Sequence, residues 1–470
     1  MQLHRTWAAG LGSSLGLAAA LAWPPNALAD PASDVEQLKK DIADLRQSYE
    51  ARLRALEQKL QQLQQAAPAA APAAEAPPPA PPPASTATNP AAAFNPAISL
   101  ILNGTYANLS QDPARYRLQG FMPSGGEVGP GKRSFQLGES ELGLAATIDP
   151  SFSGHLTFSL SPDDSGNDSV SVEEAVFERQ GLFDGATLKG GRFLSSIGYL
   201  NSQHAHAWDF VDAPLAYQAF FGGPLKTDGL HLHWLAPTER FVELGAEIGS
   251  GSTFPGNDTG RNGLGSAALF AHVGDDIGES ASWRAGLSYL RQRSQDRRYE
   301  DLDANGDDHG ASFSGRSRTW VADAIYKWAP GGNATRENLK LQGEYFRRTE
   351  DGTLAQAAAI GGFSSTQSGW YVQAVWQFMP QWRIGARYDR LDAGSLAIGL
   401  VDNGTLAAAD LPVLQRATPT RSTLMADYSL SEFSRFRLQL ASDRSRGDAT
   451  DRQLLLQYIM SLGAHGAHSF

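Results

Sequence analysis

From Ala97 to Leu462 the chain alternates between apolar and polar residues with a period of two. Trp370, Val372, Ala374, Trp376 and Phe378 interleave with Tyr371, Gln373, Val375 and Gln377. After Met379-Pro380-Gln381, the residues Trp382, Ile384, Ala386 and Tyr388 interleave with Arg383, Gly385, Arg387 and Asp389. Successive side chains of a strand point to opposite faces, so each such segment has one apolar and one polar side. Aromatic residues sit at the ends of the apolar faces, as in Trp320, Tyr326 and Trp328. Strands of ~10 residues with an apolar face, a polar face rich in Arg, Glu, Gln and Gly, and aromatic girdles are the signature of a transmembrane β-barrel. A soluble sandwich also alternates, but it would not carry strong apolar faces on so many strands.

The alternation predicts sixteen strands, at 97–110, 134–148, 152–161, 170–179, 186–199, 226–235, 240–249, 265–274, 281–292, 318–329, 338–349, 368–378, 381–391, 420–429, 433–442 and 451–462. Short gaps such as Asp149-Pro150-Ser151 and Met379-Pro380 interleave with long ones at 111–133, 200–225, 293–317 and 392–419. An even strand number with short turns on one side and long loops on the other is what bacterial outer-membrane barrels show. The terminal Phe470 resembles their assembly signal, implying recognition by the barrel-assembly machinery.

The segments before the barrel read differently. Residues 1–29 pair a short basic start, His4 and Arg5, with a small apolar run ending at Pro24-Pro25, then Ala27-Leu28-Ala29 before Asp30. That is the pattern of a cleaved secretory signal peptide. Over 30–65, Val35, Leu38, Ile42, Leu45, Tyr49, Leu53, Leu56, Leu60 and Leu63 form a heptad seam with one stutter, opened by the capping box Ser33-Asp34-Val35-Glu36. A seam on so polar a helix implies partners, hence an α-helical coiled-coil stalk. A single amphipathic helix lying on the barrel or the membrane is the plainer alternative. Residues 66–95 are nearly all Ala and Pro and read as an extended spacer. The stalk is thus expected in the periplasm, reaching toward the cell wall, with 96–470 as the barrel.

Charge narrows the function. With 39 Lys and Arg against 50 Asp and Glu, the net charge is −11, which argues against a nucleic-acid partner. The chain has no cysteine, which removes disulfides, thiolate catalysis and Cys-ligated metals. No nucleophile has a placed base, so an enzyme is not expected.

The chain as a whole resembles the phosphate-selective porin O/P family. The most specific stretch is Val172-Glu173-Glu174-Ala175-Val176-Phe177, followed by Leu188-Lys189-Gly190-Gly191-Arg192-Phe193 and Ile197-Gly198. The resemblance implies a Gly-Arg-Phe strand leading into a third loop that folds into the pore, a homotrimer, and passage of small anionic solutes along basic residues. Here the loop, 200–225, holds no Lys or Arg but does hold Asp209 and Asp212. These two carboxylates are expected at the pore constriction, opposite a basic wall of Arg383, Arg387, Arg435 and Arg437 that dilutes selectivity, so the channel is expected to favour cations or to be nearly non-selective.

Alternation also turns His231 and His233, and Glu243 and Glu247, toward the lumen. Together with His204 and His206 of the loop they form a candidate site for zinc or a related divalent metal, to which imidazole and carboxylate are suited. The plainer reading is a polar lumen lining. Asp301-Leu302-Asp303-Ala304-Asn305-Gly306-Asp307-Asp308 matches the first half of a calcium loop, but position 12 is Ser312 where a Glu is required, so an acidic surface loop fits as well. No resident cofactor is expected beyond such weakly held ions. The leading expectation is an outer-membrane porin for passive diffusion. A structural protein tethering envelope layers is the alternative. A TonB-dependent receptor would need a folded plug, for which 30–95 leaves no material.

Overall fold

The computed structural model describes residues 96–463, apart from 124–127, 163–167, 258–261, 302–306 and 448. The segments expected to be signal peptide, stalk and spacer, and Phe470, lie outside the described residues. So does the centre of the candidate calcium loop.

The strands are β1 (Ala97–Leu109), β2 in two pieces (Ser134–Leu137 and Ser140–Asp149), β3 (Phe152–Pro162), β4 (Asp168–Gln180), β5 (Ala186–Leu194), β6 (Lys226–Leu235), β7 (Phe241–Gly249) and β8 (Ser266–Ile277). They continue as β9 (Ala281–Arg298), β10 (Ser312–Trp328), β11 (Asn338–Gln356), β12 (Ala359–Met379), β13 (Trp382–Ile398), β14 (Thr420–Ser431), β15 (Ser434–Asp443) and β16 (Asp451–Gly463). Both pieces of β2 pair with β1, Gly104 opposite Leu137 and Ile101 opposite Glu141, so they are one strand broken at Gly138-Glu139. Each strand pairs antiparallel with the next, and β1 closes on β16 from Ser99–Gly463 to Leu109–Gln453. Over the described residues the result is a closed, sixteen-stranded barrel without an unpaired edge.

All sixteen expected strands are present, and two departures have physical causes. First, β5 ends at Leu194 rather than 199, because Ser195 N–H turns to the Leu225 carbonyl and the chain leaves the wall. Second, β9 to β13 run well past the apolar band. The expected gap between β11 and β12 is instead a tight hairpin at Ala357, whose φ is +51°. At the other side, the turn between β2 and β3 is fixed by Asp149, whose Oδ1 accepts from Ser151 N–H (2.8 Å) and Phe152 N–H (2.9 Å).

The outward parity is apolar and exposed, including Leu102, Leu244, Leu287, Leu341, Val372, Leu424, Leu440 and Leu456. Aromatic contacts gather at two levels of this surface. Trp376–Phe378, Trp382–Tyr428 and Phe436–Tyr458 lie toward the short turns; Tyr289–Trp320 and Trp370–Tyr388 lie toward the long loops. On β12, Trp370 and Trp376 share the outward face six residues apart, roughly 20 Å of strand at ~3.3 Å per residue. That spacing suits a hydrocarbon layer between the girdles.

The inward parity is not uniformly polar. Leu290, Val321, Phe346, Tyr371 and Leu391 also point in and are fully buried. What buries them is the chain between β5 and β6, with Leu118 and Phe121 from the loop after β1. Residues Leu215–Phe221 form a short helix, α1, every residue of which is buried. The helix stops at Gly222, which takes the left-handed conformation (φ +72°) that a residue with a Cβ would adopt only at a cost. Within the barrel Phe220 stacks on Phe346 at 5.7 Å and meets Phe121 edge-on at the same distance.

Candidate functional site

The segment from Ser195 to Leu225 is the internal loop that the Gly-Arg-Phe strand leads into. Asn201 shapes its base: the side-chain amide donates to the carbonyls of Ser195 (2.7 Å) and Leu225 (3.0 Å), and its Oδ1 accepts from Leu225 N–H (2.7 Å). Both ends of the loop are thereby pinned to one buried side chain. Glu247 of β7 caps the first turn, accepting from Ser195 Oγ–H (2.6 Å) and Ser196 N–H (2.7 Å). Glu344 of β11 accepts from Leu200 N–H (3.0 Å), Tyr199 N–H (3.2 Å), Tyr217 O–H (2.9 Å) and Tyr371 O–H (2.6 Å). Gly198 makes room for this carboxylate. With φ +73°, it would place a Cβ 2.2 Å from Glu344 Oε2.

Asp209 and Asp212 project into the basic wall, not into open water. Asp209 is 4 % exposed and pairs with Lys340 of β11 and with Arg383 of β13 (3.2 Å). Asp212 pairs with Arg387 (2.8 Å) and with Arg421 of β14 (2.7 Å), and accepts from the Gln439 amide (3.0 Å). Burial alone would push both carboxyls up, but Lys340 and Arg383 hold Asp209 below the usual carboxylate range, and Arg421 and Arg387 do the same for Asp212. The wall arginines bind the loop backbone as well. Arg435 donates to the His206 carbonyl (2.8 Å), Arg437 to that of Trp208 (2.9 Å), and Arg421 to that of Ala213 (2.6 Å). Asp427 holds Arg383 and Arg437 from behind, and Asp389 holds Arg387 (3.0 Å).

The expected pair of opposed charged surfaces across a lumen is therefore corrected. Asp209 and Asp212 do form the charged tip of the inward loop, and Arg383, Arg387, Arg435 and Arg437 do form a basic wall, but the two surfaces are in contact. Counting Asp209, Asp212, Asp389, Asp427 and Asp443 against Lys340, Arg383, Arg387, Arg421, Arg435 and Arg437 gives 6 − 5 = +1. A nearly balanced cluster exerts little net field on a passing ion.

The six residues expected to hold a metal do not converge either. His204 and His206 leave the loop toward β2 and β4. His206 Nδ1 lies 2.7 Å from Glu141 Oε1, and His204 contacts Glu141, Glu173 and Glu174. Glu173 and Glu174 are adjacent, yet both reach this site because Glu173 is an extra residue in the β4 ladder opposite Thr157 and Phe158. His231 instead sits between Phe193 and Phe270, with ring centroids at 5.5 Å from each and from His233. Glu243 belongs to His272 (2.8 Å), and Glu247 to the loop base. Sequence reasoning missed Glu141, Glu344, Asp389, Arg421 and Asp427. Inward parity carries a signal for the strand residues, but Glu173 breaks parity at the bulge.

Of the candidate calcium loop, Asp301 is buried and accepts from Val413 N–H (2.8 Å), while Asp308 accepts from Asp301 N–H (3.0 Å) and Gly310 N–H (2.8 Å). These carboxylates tie loops together.

Fold and site define a porin-like barrel: closed, antiparallel, apolar outside, with an ion-paired loop folded within. No family model matches the chain. It belongs to the same family as an uncharacterized protein of Aquifex aeolicus (strain VF5), with which it shares 31 % identity over 405 residues, 80 % of each chain. Solved structures to which it bears a weaker likeness include OprB of Pseudomonas putida (16 % identity, 78 % of this chain and 94 % of that one, TM-score 0.47). Others are the outer-membrane channel DcaP of Acinetobacter baumannii (12 %, 78 % and 97 %, TM-score 0.47) and an anion-selective porin from Comamonas acidovorans (12 %, 78 % and 99 %, TM-score 0.46).

Proposed function

We propose that the protein is an outer-membrane porin, a water-filled channel through which small hydrophilic solutes diffuse passively, with no enzymatic step. The observation that carries this reading is the inversion of the barrel: an apolar, aromatic-girdled exterior around an interior crossed by an ion-paired loop. A sixteen-strand barrel is wide enough to conduct, and the loop from Ser195 to Leu225 narrows it. With its carboxylates neutralised against Lys340 and the arginines, the loop supports weak discrimination between small ions rather than strong selectivity for either sign. The stretch that resembles the phosphate-selective porin O/P family fits this architecture, but the balanced charge cluster does not favour a phosphate path.

Self-association is part of the proposal. Arg192 and Asp228 form a two-pronged ion pair (2.7 and 2.9 Å) on the outer face of β5 and β6, on the same parity as Leu188, Leu230 and Leu232. Charges on a lipid-facing surface are costly, so this patch favours cover by a second copy, and the heptad seam of 30–65 favours a homotrimer. Purified protein in a planar bilayer tests the channel. Discrete conductance steps that persist after removal of 30–65 support a porin; absence of conductance with loss of envelope attachment would favour the tether.

A further inference from the structure

We infer that Glu141, His204 and His206 form a binding site for a divalent transition-metal ion such as zinc, which clamps the internal loop to strand β2. One donor atom from each residue lies within 4.8 Å of the other two. Tetrahedral zinc with bonds of ~2.0–2.2 Å sets its donors about 3.3–3.6 Å apart. His204 Nδ1 is already 3.2 Å from Glu141 Oε2, and His206 Nδ1 is 2.7 Å from Glu141 Oε1, so small outward movements open room for an ion. The two rings stack with centroids 5.6 Å apart on the turn Ala205–Ala207, presenting their nitrogens to the same carboxylate.

The surroundings specify a cation there. His204 Nε2 lies 2.9 Å from Glu174 Oε2 and donates its proton to it, the carboxylate–imidazole backing that orients metal-bound histidines. Its Nδ1 meets two carboxylates, Glu141 at 3.2 Å and Glu173 at 3.3 Å, so three ligating groups converge on a space that a proton or a metal ion fills. Three acceptors so arranged need positive charge between them. Glu141, Glu173 and Glu174 contribute −3; Lys226, 3.4 Å from Glu173, returns +1, and His155, 3.4 Å from Glu174, adds charge only when protonated. The balance of −2 matches one divalent ion with neutral imidazoles, or two protons in its place. Mixed imidazole and carboxylate donors select zinc, nickel or copper over calcium and magnesium. The site is distinct from the one expected from sequence, since His231 and His233 take no part.

The test uses untagged full-length protein in detergent, stripped with chelator. Calorimetric titration with zinc should give one ion per chain. His206→Gln and Glu141→Gln should each weaken binding at least tenfold, and His231→Ala/His233→Ala should leave it unchanged. Heat-dependent gel mobility checks that each variant keeps its barrel. Should a ligand variant fail to fold, copper(II) bound to the wild type reads the donors directly, and nitrogen hyperfine splitting in its electron paramagnetic resonance spectrum is expected. Binding well below one equivalent, equal affinity in His206→Gln, loss of binding in the His231→Ala/His233→Ala variant, or a copper spectrum without nitrogen coupling would each overturn the site. None of these readouts depends on conductance, so the site and the channel reading stand or fall separately.

Discussion

Asp212 is the residue whose loss should most loosen the internal loop. It faces Arg387 and Arg421, each only 1 % exposed at the side chain, and Asp212→Asn keeps the shape while removing the charge between them. Asp389 then sits 3.0 Å from Arg387 and 3.7 Å from Arg421, and Asp443 is 3.9 Å from Arg421. Breaking a buried ion pair costs about 3–5 kcal/mol. Because Asp389 and Asp443 remain to compensate, we take the lower figure, ~3 kcal/mol, which at ~1.36 kcal/mol per decade is roughly two decades in the loop's opening equilibrium. The chain lacks cysteine, so one introduced at Ala213, 5 % exposed beside Asp212, reports opening through its rate of maleimide labelling. Asp212→Asn in that background should label about 100-fold faster. Adding Arg421→Met should not slow the labelling again, because Arg421 also donates to the Ala213 carbonyl and faces Asp389 and Asp443. A labelling rate within threefold of the parent, or recovery of slow labelling in the double variant, would refute the view that buried charge pairing holds the loop.

Three further outcomes are expected. Gly198→Ala forces a side chain into Glu344 and into a positive-φ position; it should lower the temperature of the heat-induced mobility shift, whereas Gly181→Ala, whose Cβ meets nothing within 4 Å, should show only the smaller positive-φ effect. Acidification acts through Asp209 and Asp212. Their pKa values are depressed by the wall cations, so their contribution is fully present above the unfolded value of ~3.9 and fades as pH falls below it. The part of the acid response of conductance that Asp209→Asn/Asp212→Asn abolishes should accordingly lie below about pH 4; if that part lies near pH 6, the wall cations do not hold these carboxylates. Arg192→Ala should leave the barrel folded but lower the temperature at which the oligomer dissociates in detergent, and an unchanged dissociation temperature would place that ion pair outside any interface.

The strands were legible because a barrel wall obeys one rule along its whole length: successive residues choose between lipid and lumen. That rule locates Arg383, Arg387, Arg435 and Arg437 on the inner face, and it equally covers Asp389 and Asp427, at inward positions on β13 and β14. Parity says nothing about what lies opposite. The apolar inward residues Val321, Phe346 and Tyr371 break the polar-lumen expectation, and they do so where α1 packs. Their mates, Leu215, Tyr217 and Phe220, come from a loop whose path no local periodicity encodes. The metal expectation went astray for the same reason: alternation orients His231 and His233 correctly, but only the crossing of the loop decides that His204 and His206 meet Glu141 instead.

Counting charge along the chain fails for a related physical cause. The excess of acidic residues says nothing about the field in the lumen once Asp209 and Asp212 are spent against Lys340, Arg383, Arg387 and Arg421. Fixed charges steer ions only while they remain unpaired and within reach of water. Selectivity in such a channel thus depends on whether the loop stays docked. Docked, the cluster is close to neutral; released, it exposes a carboxylate pair on one side and a row of guanidinium groups on the other. The same ion pairs that position the loop mask the charges that a sequence-based reading would assign to the pore.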